Sequence, residues 1–202
     1  MELCDLAVLI NDLQTKFKIK KRLIKRVVED ALKELIPDVT YPLEISIALV
    51  SDEFIQSLNK RYRRVDEATD VLAFPQDQAA PQIVYSPQSI VHRGQRSVKV
   101  SKCQSVKKWE VGSEKWGVKG SKQIQNSKPG SLPPILLGDI VVSLDMAERQ
   151  ANEYHLPMEE EVINLTLHGL LHLLGYKDST PKQRKVMENK QRETLKKLKV
   201  KS

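Results

Sequence analysis

The sequence predicts an α/β fold, of the α+β kind, held in one compact domain. Three observations point there. Short apolar runs alternate with longer stretches whose apolar residues recur at helical spacing, the pattern of strands and amphipathic helices. A length of 202 residues with 40% hydrophobic composition suffices for one well-buried core and barely for two. One stretch, residues 157–175, is apolar around nearly its whole circumference and so belongs inside, with other elements packed about it.

The elements follow in order. Residues 3–10 suit a short strand, with Asn11 and Asp12 as its turn. From Lys20 to Ile36, Leu23, Ile24, Val27, Val28, Ala31, Leu32 and Leu35 recur as the inner face of a helix, which Pro37 stops. Leu43–Val50 begins with period-two alternation, as expected of a strand with one face more buried than the other. Ser51 and Asp52 are N-cap candidates for a helix that turns Phe54, Ile55 and Leu58 inward and carries Asn59, Tyr62 and Arg63 near its end. Val71–Phe74 is a brief strand ended by Pro75. Ile135–Leu144 reads as a buried strand in which Gly138 permits close approach of a neighbouring backbone, and Asp145 can cap a short helix through Ala151. Pro157 opens the main helix, Glu159, Glu160 and Glu161 complement its dipole, and Gly175 ends it. Thr180-Pro181 starts the last helix, whose Val186, Met187 and Leu195 pack while its lysines face water.

Charge is concentrated rather than spread. Between Gln76 and Pro134 stand ten Lys or Arg against three acids, which accounts for the whole net charge of +7. A second basic concentration follows Pro181. From charge alone such patches read first as a solvated loop and a solvated helix face, and only second as RNA-binding surfaces. In residues 76–133 aliphatic residues stand singly among Gln, Ser, Lys and Gly, too few to offset a backbone ordering cost of about 1 to 2 kcal/mol per residue. This segment is therefore expected as a basic, low-order insertion into a catalytic domain formed by residues 1–75 and 134–202. Trp109 and Trp116 within it suit a satellite core, base stacking or incidental packing. The opening residues do not read as a secretory signal, and no run is long enough to span a membrane. Cys4 and Cys103 form neither a metal-ligand pattern nor a disulfide framework, so a reducing, cytoplasmic location is expected.

The chemistry lies on the main helix. Ile163, Leu167, Leu170, Leu171 and Leu174 make an apolar face, flanked by Val162, Leu165 and Leu173, while Glu160, Asn164, His168 and His172 recur every fourth residue as a polar stripe. Side chains at i and i+4 lie about 5 to 6 Å apart at Cβ, close enough for two imidazoles to meet one ion at about 2.0 to 2.1 Å. Gly169 is expected to leave room beside that ion, and Gly175 to turn the chain back so that Asp178 supplies a third ligand. A gluzincin or metzincin peptidase carries its general-base glutamate directly after the first histidine, where this chain has Gly169.

His168-Gly169-Leu170-Leu171-His172-Leu173-Leu174-Gly175-Tyr176, followed by an acid, resembles the signature of the YbeY-type metal-dependent endoribonucleases, also called rRNA maturation factors. Leu58-Asn59-Lys60-Arg61-Tyr62-Arg63, Thr69-Asp70-Val71-Leu72-Ala73-Phe74-Pro75 and Leu137-Gly138-Asp139-Ile140 resemble further segments of that family in the same order. Together the likeness covers roughly residues 1–75 and 135–195. It implies a small mixed sheet, one zinc ion on the central helix, and single-strand RNA cleavage in ribosomal RNA maturation and ribosome quality control. The implied partners are RNA, above all ribosomal RNA, and ribosomal or small-subunit proteins. It also implies a functional arginine, which falls on Arg63; near a metal, a guanidinium grips phosphate and stabilises charge gathering there. The alternative for Arg63 is a surface ion pair with Asp66 or Glu67. Two features depart from the family. Its usual Gly-Tyr-Asp-His is Gly175-Tyr176-Lys177-Asp178 here, so an ungapped match puts Asp178 on the third ligand position and a gapped one leaves Ser179 there. Its link between Phe-Pro and Leu-Gly-Asp is normally much shorter. The competing functions are a non-catalytic RNA or ribosome assembly factor with a structural or degenerate metal site, a zinc peptidase, and a two-histidine, one-carboxylate iron oxygenase.

Overall fold

A computed structural model describes residues 6–39, 42–76, 110–111, 114–115 and 134–200. The fold is α/β, with a mixed four-stranded sheet. Strand β1 (Leu6–Asp12) runs parallel to β2 (Leu43–Val50), and helix α1 (Lys21–Leu35) makes the crossover that a parallel pair requires. Helix α2 (Asp52–Arg63) leads to β3 (Val71–Pro75), which pairs antiparallel with β6 (Ile135–Ser143); β6 also pairs parallel with β2. Three helices follow, α3 (Leu144–Tyr154), α4 (Met158–Leu173) and α5 (Pro181–Val200). None of the described helices is long and apolar enough to cross a membrane.

The chain divides into two units, Met1–Val84 with Leu132–Ser202, and Tyr85–Ser131. The second holds a two-stranded antiparallel pair, β4 (Glu110–Val111) with β5 (Glu114–Lys115). Otherwise the low order expected of residues 76–133, and the roles weighed for Trp109 and Trp116, lie outside the described residues.

Period-two burial on β2 places Leu43, Ile45, Ile47 and Leu49 in the main core, with Ile24, Val28, Ala31, Leu32 and Leu35 of α1 and Leu167, Leu170 and Leu171 of α4. On the opposite face Leu72 and Val141, directly paired across β3 and β6, are buried, as are Ile55 and Leu58 of α2, the helix that contacts both strands. Truncating a fully buried leucine such as Leu170 or Leu171 to alanine costs about 2 to 5 kcal/mol. Helix α4 is the hub of the fold, touching α1, α3, α5, β3 and β6.

Two glycines set the approach of these elements. Just before Gly138, which pairs with Ile45, β6 holds one extra residue, Leu137, against β2, and Gly138 takes a φ of +142°. A Cβ there would run into the Phe74 carbonyl oxygen, so the expected close backbone approach is realised. Gly169 contradicts its expected role: its missing Cβ points at the sheet, where it would meet Ile140 and Val71. The glycine lets α4 lie close on β6 and β3 and makes no room beside the histidines.

Several local expectations also shift. Asn11 and Asp12 belong to β1, because pairing with β2 continues to Leu49. Strand β6 ends at Ser143, and the Ser143 hydroxyl, rather than Asp145, caps α3 by accepting from the Met146 N–H at 3.1 Å. Asp145 instead accepts the Asp52 N–H, at 3.1 Å, and pairs with Lys16. On α5 Met187 is buried, Leu195 is half-buried, and Val186 remains exposed.

Candidate metal centre

Helix α4 brings His168 and His172 one turn apart, both half-buried, with rings edge to face and centroids 4.8 Å apart. Past Leu174, Gly175 at φ +90° reverses the chain, and the Tyr176 N–H bonds back to the Leu171 carbonyl at 3.0 Å. That turn aims the Tyr176 carbonyl at His172 and carries Asp178 alongside. His168, His172 and Asp178 each offer a ligand atom, all within 4.8 Å of one another.

Hydrogen bonds assign the ring protons. His172 Nδ1 lies 3.0 Å from the Tyr176 carbonyl, which only accepts, so Nδ1 carries the proton. Gln191 of α5 donates through Nε2 to the Asn164 carbonyl at 3.0 Å, which turns its Oε1 toward His168 Nδ1 at 3.4 Å. His168 Nδ1 therefore carries a proton too. In the neutral form each ring then offers an Nε2 lone pair, and these two atoms stand 3.2 Å apart. Facing lone pairs at that distance repel each other unless a cation lies between them.

A tetrahedral ion with bonds of about 2.0 to 2.1 Å separates neighbouring ligands by about 3.3 Å. The Nε2–Nε2 distance matches that edge. Asp178 Oδ2, 3.8 Å from His172 Nε2 on a side chain 46% exposed, has freedom to close the small remainder. Two neutral imidazoles and one carboxylate form a donor set that zinc accepts, with a fourth position left for water or substrate.

The surroundings keep His172 a ligand. Burial is the largest influence lowering its pKa, followed by neighbouring His168 and, more weakly, Arg63; the Tyr176 carbonyl and Asp178 oppose them. Its lone pair is thus available at neutral pH. The effect also places the Arg63 charge within electrostatic reach of the pair. Arg63, the exposed last residue of α2, pairs with neither Asp66 nor Glu67 among the described residues, and Asp66 is engaged by Lys60 and Gln56.

The same end of the sheet carries more side chains. Leu173 and the Phe74 carbonyl both crowd Gly138, and Phe74 packs edge-on against Tyr62 at 5.2 Å, with Arg61 beside the Tyr62 ring. The rest of the polar stripe turns elsewhere: the Asn164 side chain bonds Glu161 at 3.1 Å, and Glu160 lines a cleft between α1, α4 and α5. Gln191 escapes a reading based on helix α4 alone. Its one signal is an amide interrupting the Met187–Leu195 apolar stripe at four-residue spacing.

A family model described as Endoribonuclease YbeY matches residues 9–199. Among curated relatives, a protein of Desulforamulus reducens named Endoribonuclease YbeY is 32% identical, over 96% of this chain and 97% of its own. One of the same name from Caldanaerobacter subterraneus is also 32% identical, over 95% of this chain and 96% of its own. The solution structure of TM1509 from Thermotoga maritima shares the fold, with a TM-score of 0.50 and 21% identity over 96% of this chain and 88% of that one.

Proposed function

The chain belongs to the endoribonuclease YbeY family, and on that premise we propose that it is a zinc-dependent endoribonuclease that cuts single-stranded RNA in ribosomal RNA maturation and ribosome quality control. One observation carries the metal-dependent part of this reading: two histidine lone pairs, each set by a hydrogen bond on the far side of its ring, converge at 3.2 Å beside a carboxylate.

His168 and His172 would hold the ion through Nε2, and Asp178 through Oδ2. When bound there, a divalent ion lowers the pKa of its water and polarises a phosphate oxygen. Arg63 presents its planar fork to the phosphate under attack and stabilises negative charge building on it. The exposed Lys182, Arg184, Lys185 and Arg192 of α5 attract the RNA backbone. Gly169, turned into the sheet, puts no general base next to His168, which disfavours the peptidase alternative. Ribosomal RNA and small-subunit proteins are the proposed partners, and the cytoplasm the proposed location.

The test pairs metal analysis of purified protein with cleavage of a single-stranded oligoribonucleotide. Stoichiometric zinc and cleavage are expected of the parent chain, with both lost in His168→Ala. Undiminished cleavage by the metal-free variant sinks the assignment. A second reading, an RNA assembly factor with a structural or degenerate metal site, draws on the exposure of Asp178. Zinc uptake without cleavage, or neither, favours that reading.

A further inference from the structure

We propose that Gln191 is a positioning residue for His168: it decides which ring nitrogen carries the proton and therefore which one is offered to the ion. This inference rests on the metal reading above. In a neutral imidazole one nitrogen holds a proton and the other a lone pair, and the partner of one nitrogen decides the state of the other. A His168 protonated at Nε2 would thrust an N–H into the gap shared with His172 and could not ligate there.

The Gln191 amide is bonded at both ends. Its Nε2 donates to the Asn164 carbonyl at 3.0 Å, one turn before His168, and its Oε1 accepts from His168 Nδ1–H at 3.4 Å. Flipping the amide would point its oxygen at a carbonyl and its NH2 at an N–H, losing both bonds. Helix α5 is held against the core on either side of this residue by Met187 and Thr194, each 1% exposed. The two ligands are thus set by independent devices. His172 is oriented by a main-chain carbonyl in the turn that closes its own helix, whereas His168 depends on a side chain from a helix 23 residues further on. Outer partners of this kind orient a ligand ring, and their loss typically weakens metal affinity by about 10- to 100-fold.

The experiment compares the full parent chain with Gln191→Leu, which removes both hydrogen bonds at similar volume, and Gln191→Glu, which gives up the donor to the Asn164 carbonyl but keeps an acceptor for His168. Zinc affinity is measured by competition with a chelator. The proton on His168 is located in metal-free protein from ring 15N shifts, at a pH where the ring is neutral. In the parent the proton is expected on Nδ1. In Q191L it is expected to move substantially to Nε2, with zinc affinity down about 10- to 100-fold; Q191E is expected to restore the Nδ1 proton and recover affinity. Parent-like zinc binding by Q191L overturns the inference while leaving the metal reading intact. Failure of the parent chain to take up zinc overturns both. Should Q191L not fold, the parent still decides, since a metal-free His168 protonated at Nε2 contradicts the inference outright.

Discussion

Gly169→Ala tests how the histidine helix is seated. A Cβ at this position would lie 2.8 Å from Ile140 Cγ2 and 3.2 Å from Val71 Cγ2. Carbon atoms in contact rest about 3.5 to 4.0 Å apart, so the methyl intrudes on both. Both partners are β-branched, hence stiff at χ1, and both are buried on the adjacent strands β6 and β3. Overpacking costs about 1 to 3 kcal/mol, and two stiff walls put this site toward the upper end. Alanine's better helix propensity returns about 1 kcal/mol. The balance is a loss of about 1 to 2 kcal/mol, which lowers Tm by about 2 to 8 °C in a chain of this length. A thermal melt followed by circular dichroism reads the difference. In an Ile140→Ala background, which deletes the closest methyl, the same substitution is expected to cost about 1 kcal/mol less. A Tm equal to or above the parent's, or strict additivity in the double variant, refutes the close seating of α4.

Asp178→Ala is expected to keep the fold but reduce zinc affinity by more than the roughly 10- to 100-fold typical of an outer partner; titration calorimetry checks this, and an unchanged affinity would remove Asp178 from the ligand set. Arg63→Ala should lower RNA cleavage by about 100-fold, the scale of a lost transition-state donor, with zinc content unaltered. In metal-free protein the same change should raise the His172 pKa, since the Arg63 charge opposes its protonation, and an NMR titration follows that shift. For Asp145 the Lys16 hydrogen bond is the largest influence holding the carboxyl below its ordinary pKa, aided by the Asp52 N–H. A depressed folded-state pKa gives stability that is present above the unfolded-state pKa, about 3.9, and is lost as pH falls through the folded value. Lys16→Met is therefore expected to reduce stability at neutral pH and to flatten the loss below pH of about 4. Parallel melting curves for parent and variant across that range would contradict it.

Much of this was legible in the residues because it is local. Alternation from the start of the run places β2 at Leu43–Val50, and Pro37, Pro75 and Pro157 mark the ends or beginnings of their elements. The histidine pair is legible for the same reason, since i and i+4 on a helix need no tertiary information. Gly169 was misread because it stands about 100° around the helix from His168, and only the position of the sheet tells which side it serves. The α3 cap was expected at Asp145 and is Ser143 instead, because only the sheet shows that β6 stops pairing with β2 at that residue. Gln191 was invisible as a site residue because its meaning comes wholly from the docking of α5 on α4.

Strand β6 has a consequence for how the chain assembles. It is a central strand, yet it arrives after residues 76–134, and its two neighbours both precede that segment. At synthesis rates of about 5 to 20 residues per second, β3 waits on the order of 3 to 12 s for β6, and β2 waits longer still. Until then β2 shows an open edge of Ile, Leu and Val, and β3 has nothing to pair with. The histidine pair lies further along the chain than β6 and can be seated only after that strand has been made, so the nascent chain is most exposed to mispairing between the synthesis of β3 and that of β6.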